Sequence, residues 1–244
     1  VPSGAVRNAI DTGALEALAV TAMSYRSGMS VTFCQAHPDV ELWSRSQRVG
    51  VRATIGVAHL LGSSAIPFVF PPAAIDGDYY GDGSVRQVAP TSPALHLGAD
   101  RILVVGAARS TVRVDAPPST APPSMAQIGG QVLASIFTDS LGTDLEKVRL
   151  VNTAVRQIPL DVLGKSPVPL RDVGLTTVTP SVPLEDIALD YVGELPRTIR
   201  LLLHGVGGTH PGGAAFLSYL LFSPGYCKAL MALGRADART KRTE

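Results

Sequence analysis

Only two cysteines, Cys34 and Cys227, occur in the 244 residues, far apart and outside any Cys-x-x-Cys spacing. That excludes a disulfide framework and a cysteine-based metal site, and both read as reduced core residues. The five histidines, His37, His59, His96, His204 and His210, show no HxxxH or HxH spacing and no carboxylates gather round them, so no metal is expected. Charge is sparse too: 17% of residues are charged and the formal net charge is +1, which leaves no electrostatic footprint for nucleic acid. The one basic cluster, Arg239, Lys241 and Arg242, reads as a solvated terminus. No run approaches the roughly 18 consecutive apolar residues of a membrane-crossing helix. The first residues lack the basic and apolar regions of a signal peptide, so the expected setting is soluble and cytoplasmic. Beginning with Val1 inside what reads as a loop, the sequence also carries the expectation of an upstream portion.

What is present is a globular composition, 45% hydrophobic, long enough for one large domain or two small ones. Leu18–Ser24 and Met29–Gln35 are rich in β-formers and flank the polar Tyr25–Gly28, predicting a hairpin. Val49, Ala53, Val57 and Leu60 fall at helical spacing before Gly62, predicting a core-facing helix over 49–61. Three prolines in Ser64–Pro72 predict an extended, rigid turn. Asp76-Gly77 and Asp82-Gly83 both carry tight-turn chemistry. A short helix over 91–98 is expected to lead into Arg101–Gly106, which reads as a strand buried on both faces; its single glycine falls short of a dinucleotide-binding turn.

Residues 114–124, with four prolines, read as a linker or surface loop and are the one break in composition. Beyond it the pattern is mostly helical. Met125, Ile128, Val132 and Ile136 share one face; so do Leu145, Val148, Val155 and Ile158, after a capping box of Thr143 with Glu146. Gly174–Thr179 suggests one more strand, Pro183, Glu185 and Asp186 open a further helix, and two or three helices follow. The expected division is a sheet domain over 1–113, a linker over 114–124 and a helical lobe over 125–244. Its fold class is α/β.

Asp82 stands in Tyr80-Gly81-Asp82-Gly83-Ser84. Read from the residues alone, it is either a turn aspartate or a carboxylate presented at a sheet edge to a neighbouring nucleophile. No Gly-x-Ser-x-Gly occurs anywhere, and Gly28-Met29-Ser30-Val31-Thr32 fails at its last position, so no nucleophile is assigned within the chain. The glycine-rich run from His204 to Gly213 follows no strand and is succeeded by no Gly-Lys-Ser/Thr, and reads as a loop. The apolar segments at Leu201–Leu203 and Phe216–Phe222 could pack on a core or touch lipid.

The succession SSAIPFVFPP, YYGDGSVRQVAP and ALHLGADRILVVG closely resembles the second half of the patatin-like phospholipase catalytic domain. AIDTGALEAL and AVTAMSYRSGMSVTF are similar to that family's segment after the nucleophile helix, and LSYLLFSPGY with ALGRADA to a helical extension in bacterial members. The resemblance implies a partial patatin-type sheet domain with flanking helices and a C-terminal helical lobe. It implies a lipid acyl hydrolase working through a Ser-Asp dyad, with Asp82 as the aspartate, Gly81 and Gly83 as its supporting turn, and Ser84 without a chemical role. The Gly-rich oxyanion loop and the Gly-x-Ser-x-Gly elbow of that family do not occur here. Lipid or another ester is the implied substrate, with peripheral membrane contact, no nucleic acid and no cofactor. The alternative from a different class is a non-catalytic binding or regulatory module derived from the same fold.

Overall fold

The structure, a computed structural model, describes residues 3–67, 69–106, 122–137, 139–163, 170–205, 207–209 and 213–241. Helix α1 (Ser3–Asp11) precedes strands β1 (Ala17–Ser24), β2 (Ser30–Ala36), β3 (Ser44–Arg45) and β4 (Arg48–Arg52). Helix α2 (Val57–Ser63), strands β5 (Ala73–Ile75) and β6 (Asp78–Asp82), helix α3 (Ser92–His96) and strand β7 (Arg101–Val105) follow. Then come helices α4 (Met125–Phe137), α5 (Asp139–Val155) and α6 (Leu160–Leu163), and strand β8 (Gly174–Val178). Helices α7 (Leu184–Asp190), α8 (Arg197–Gly205), α9 (Ala214–Leu220) and α10 (Pro224–Lys241) complete the order.

The fold is mixed α/β. Its chain forms two compact units: Val1–Ile102 with Thr143–Gly174, and Leu103–Gly142 with Leu175–Glu244. The sequence reading drew one boundary, at the proline-rich stretch; here 143–174 falls in the same unit as the sheet. Residues 114–121 of that stretch lie outside the described residues.

The first unit is built on a six-stranded mixed sheet in the order β3-β4-β2-β1-β6-β5. The predicted hairpin is its centre: β1 runs antiparallel to β2 from Ala17 opposite Ala36 to Met23 opposite Ser30. Gly28, at a φ of 67°, provides the left-handed residue that the connection needs. β2 is flanked on both edges and nearly all of it is buried, whereas β1 buries Val20, Ala22 and Ser24 in alternation. Val20, Ala22, Val31, Phe33, Ile55 and Ile75 make the core of this unit, and Phe33 meets the rings of His59 and Tyr80 edge-on. Gln35 contributes a polar anchor, its Oε1 accepting the Ile55 N–H at 2.9 Å. Arg52 gathers the loop after β2 by donating to the carbonyls of Ala36, His37, Pro38 and Val40.

The expected helix over 49–61 is corrected by the structure. Its first part is strand β4, parallel to β2, and only Val57–Ser63 is helical. The turn expected over 64–72 is present among its described residues, but it is folded back and not extended, because the amides of Val69 and Phe70 both return to the Ile66 carbonyl. β7 is not buried on both faces either: it pairs with β8 in a two-stranded sheet, and Leu103 is 64% and Val105 76% exposed. Thr143 and Glu146 do not cap a helix, since α5 starts at Asp139. Leu145, Val148 and Val155 of α5 are buried as the periodicity predicts.

In the second unit Ala188, Leu203, Leu217, Leu221 and Tyr226 form the core. Helix α4 inverts the sequence reading. Its large apolar residues Met125, Ile128 and Val132 are exposed, and it packs instead through Ala126, Gly129 and Gly130. A side chain on Gly130 would stand 2.9 Å from the Phe216 nitrogen and 3.2 Å from Ala215 Cβ, so the absence of one sets how closely α4 approaches α9. Pro183 stands immediately before α7, with Glu185 and Asp186 in its first turn, as read from the sequence. The Glu194 carboxylate accepts the Gly225 N–H at the start of α10.

Candidate functional site

The hairpin β5–β6 carries the first of the two Asp-Gly pairs at its turn. Asp76 has a φ of 49° and Gly77 one of 80°, both left-handed, and Ile75 faces Asp78 across the turn. The second pair behaves differently. Asp82 is the last residue of β6, opposite Ala22 of β1, with a φ of −51° and a ψ of 128°. Gly83, which opens a single 3-10 turn over Gly83–Val85, is not among the positive-φ residues. The tight-turn reading of Asp82-Gly83 is therefore corrected: Asp82 closes a strand in the sheet, where it is 8% exposed.

A carboxylate in such a position needs partners. Ser84 donates its backbone N–H to Asp82 Oδ1 at 2.8 Å. The Asp82 amide donates to the Ala65 carbonyl at 3.0 Å, so the proline-rich segment after α2 fixes the backbone of the candidate residue. Burial pushes the Asp82 carboxyl above its ordinary range, and the smaller opposing pull of Ser84 does not cancel it. The result is a carboxylate more basic than a solvated one, held in one orientation.

The flanking glycines have separate structural duties. A methyl group on Gly83 would collide with the Thr21 carbonyl oxygen of β1. One on Gly81 would stand 2.6 Å from the Tyr25 hydroxyl oxygen. Each glycine therefore marks a close approach, Gly83 to β1 itself and Gly81 to the residue that follows β1. Neither Thr21 nor Tyr25 stands out in the sequence; the only signal for them is that the hairpin strand must lie beside β6 if Asp82 is to end in the sheet.

Beside this strand end lies a cavity of about 960 Å³. Gly83 and Ser84 contribute to its wall, with Thr21 of β1, Ser63 of α2, Pro93 and Leu97; Asp82 itself is not a lining residue. Its volume is at the upper end of ligand pockets in general.

No protein-family model and no curated protein matches the chain.

Of the site residues read from the sequence, Asp82, Gly81 and Gly83 are contiguous at this strand end, and Ser84, to which no chemistry was assigned, proves to be the partner of the carboxylate. Among the described residues no group of three or more His, Cys, Asp or Glu side chains could hold a metal ion. No single described helix is long and apolar enough to cross a membrane. The glycine-rich run follows α8 as a loop over 207–209, with Val206 and residues 210–212 outside the described residues.

Proposed function

We propose that this chain supplies the aspartate of a Ser-Asp dyad in a patatin-type lipid acyl hydrolase, the serine standing in sequence other than these 244 residues. The observation that carries the reading is the position of Asp82: buried at a strand end, raised in basicity, and oriented by Ser84, which with Gly83 lines a large cavity. In the dyad, the Asp82 carboxylate accepts the serine hydroxyl proton as the serine oxygen bonds to the ester carbonyl carbon. The protonated Asp82 then returns that proton to the departing alkoxide. Water, deprotonated in turn by Asp82, releases the fatty acid and restores the serine. This sequence requires no metal or organic cofactor, and a base with a raised pKa suits it better than an ordinary aspartate would.

The patatin-type assignment, the ester substrate and contact with a lipid surface rest on the resemblance in the sequence. The test uses the endogenous protein, treated with a fluorophosphonate that labels activated serines and assayed on a lipid ester. A single adduct at a serine outside residues 1–244, and loss of both labelling and turnover in Asp82→Asn at a melting midpoint no lower than the parent's, are expected. Turnover retained by Asp82→Asn removes this residue from the mechanism. An endogenous protein that takes no label at all favours a non-catalytic module.

A further inference from the structure

The first unit holds a second cavity, of about 410 Å³, that shares no lining residue with the one beside Asp82. Its surface is largely aliphatic, from Leu95 of α3, Val148 and Val151 of α5, and Leu170 and Val173. Three cations also line it: Arg45 of β3, Lys147 of α5, and Arg171. One carboxylate, Asp144, is present, and its Oδ2 is occupied by the backbone N–H and the hydroxyl of Thr91 at 2.8 and 2.5 Å.

Arg171 is pinned by backbone carbonyls and paired with one solvent-exposed carboxylate. Its Nη2 donates to the carbonyls of Leu95 and Ala99 at 2.8 and 3.2 Å, and these carry no formal charge. Its Nε is buried and makes no hydrogen bond, lying 3.4 Å from an Asp100 carboxylate that is itself 84% exposed to solvent. His96 lines the cavity as well, with its ring stacked on Trp43 at 4.8 Å and 12°. Burial, with Arg45 and Arg48 beside it, disfavours a proton on His96. The cavity therefore has an excess of positive charge over an apolar floor. Apolar surface favours an alkyl body, and cations without full compensation favour an anionic head.

We propose that this cavity binds a carboxylate carried on a medium-length alkyl chain, the chemical class of a free fatty acid. The carboxylate meets Arg45, Lys147 and Arg171, and the chain lies on the leucine and valine floor. The assignment stands independently of the dyad, because it uses none of its residues.

Trp43 is the only tryptophan in the sequence and stacks on His96 of the cavity wall, so its emission is a reporter of this cavity. The test is a fluorescence titration of the protein with decanoate, repeated by calorimetry, with decanol and inorganic phosphate as comparison ligands. A saturable response to decanoate is expected, with decanol weaker by about ten-fold or more and phosphate weaker still. Lys147→Glu and Arg45→Glu, both at exposed positions, are expected to weaken decanoate by about ten-fold each without lowering the melting midpoint. The absence of a saturable signal by both methods overturns the proposal. So does decanol binding as well as decanoate, phosphate binding as well as decanoate, or unchanged affinity in both variants.

Discussion

Asp144 and Thr91 are 53 positions apart, yet a single carboxylate oxygen of Asp144 accepts both the backbone N–H and the hydroxyl of Thr91. Both residues are buried, so helix α5 is fastened to the residue just before α3 by charge-assisted bonds screened little by water.

Asp144→Ala leaves two buried donors without an acceptor. A loss of about 2–3 kcal/mol is expected from urea unfolding, and Asp144→Asn, which keeps one acceptor, should lose less. Equal midpoints for the parent and the alanine variant would show that Thr91 finds other partners.

Asp82 gives stability a pH dependence of known sign. Its native carboxyl binds a proton more readily than the unfolded chain does, so stability falls as pH rises from the ordinary value of 3.8 through the raised native one. Asp82→Asn removes that loss. Above the window the variant should unfold at a higher urea concentration than the parent, and at pH 3.5 the two midpoints should converge. A variant less stable than the parent at pH 7 contradicts the burial account.

Gly83→Ala and Gly142→Ala should differ in sign. The first places a methyl group on the Thr21 carbonyl and should cost about 1–3 kcal/mol, because the obstacle is backbone that cannot swing aside. The second puts a methyl group into open space within α5 and should stabilise by about 0.5–1 kcal/mol. Thermal melts of the pair, against the parent, decide this.

The two thiols should separate in reactivity. Burial pushes the Cys34 thiol up to about 11, and Arg52 offsets only part of that, while Cys227 is half-buried. With an aromatic disulfide reagent at pH 8, Cys34 should remain unmodified in the native protein and react in urea. Rapid native modification of Cys34 would mean that β2 opens readily.

The strands β1 and β2 were legible because β-forming residues on both sides of a polar connection admit one arrangement. Val49 and Val51 were misread because β4 is short, and its valines can be counted equally into a helical series with Ala53 and Val57. Arg101–Val105 illustrates a different limit: an apolar run identifies a strand but not what covers it, and β7 has only β8 as a partner. In α4 the large residues drew attention to the wrong face, whereas two glycines decided the packing. Asp82 was legible as a candidate but not as the end of a strand. Its Asp-Gly dipeptide is the same as that of Asp76-Gly77, and the two part only in backbone conformation, left-handed at both Asp76 and Gly77 and at neither Asp82 nor Gly83.

The return of 143–174 to the first unit has a consequence for biosynthesis. A ribosome releases the sheet strands β1 to β6 early, but α5, whose Asp144 receives Thr91 and whose Asn152 holds Val173 by both its N–H and its carbonyl, emerges only after part of the other unit. The bonds from α5 to Thr91 and Val173 therefore form only after that intervening chain is made, and slowing translation between residues 103 and 174 should lengthen the interval in which a chaperone can hold the incomplete first unit.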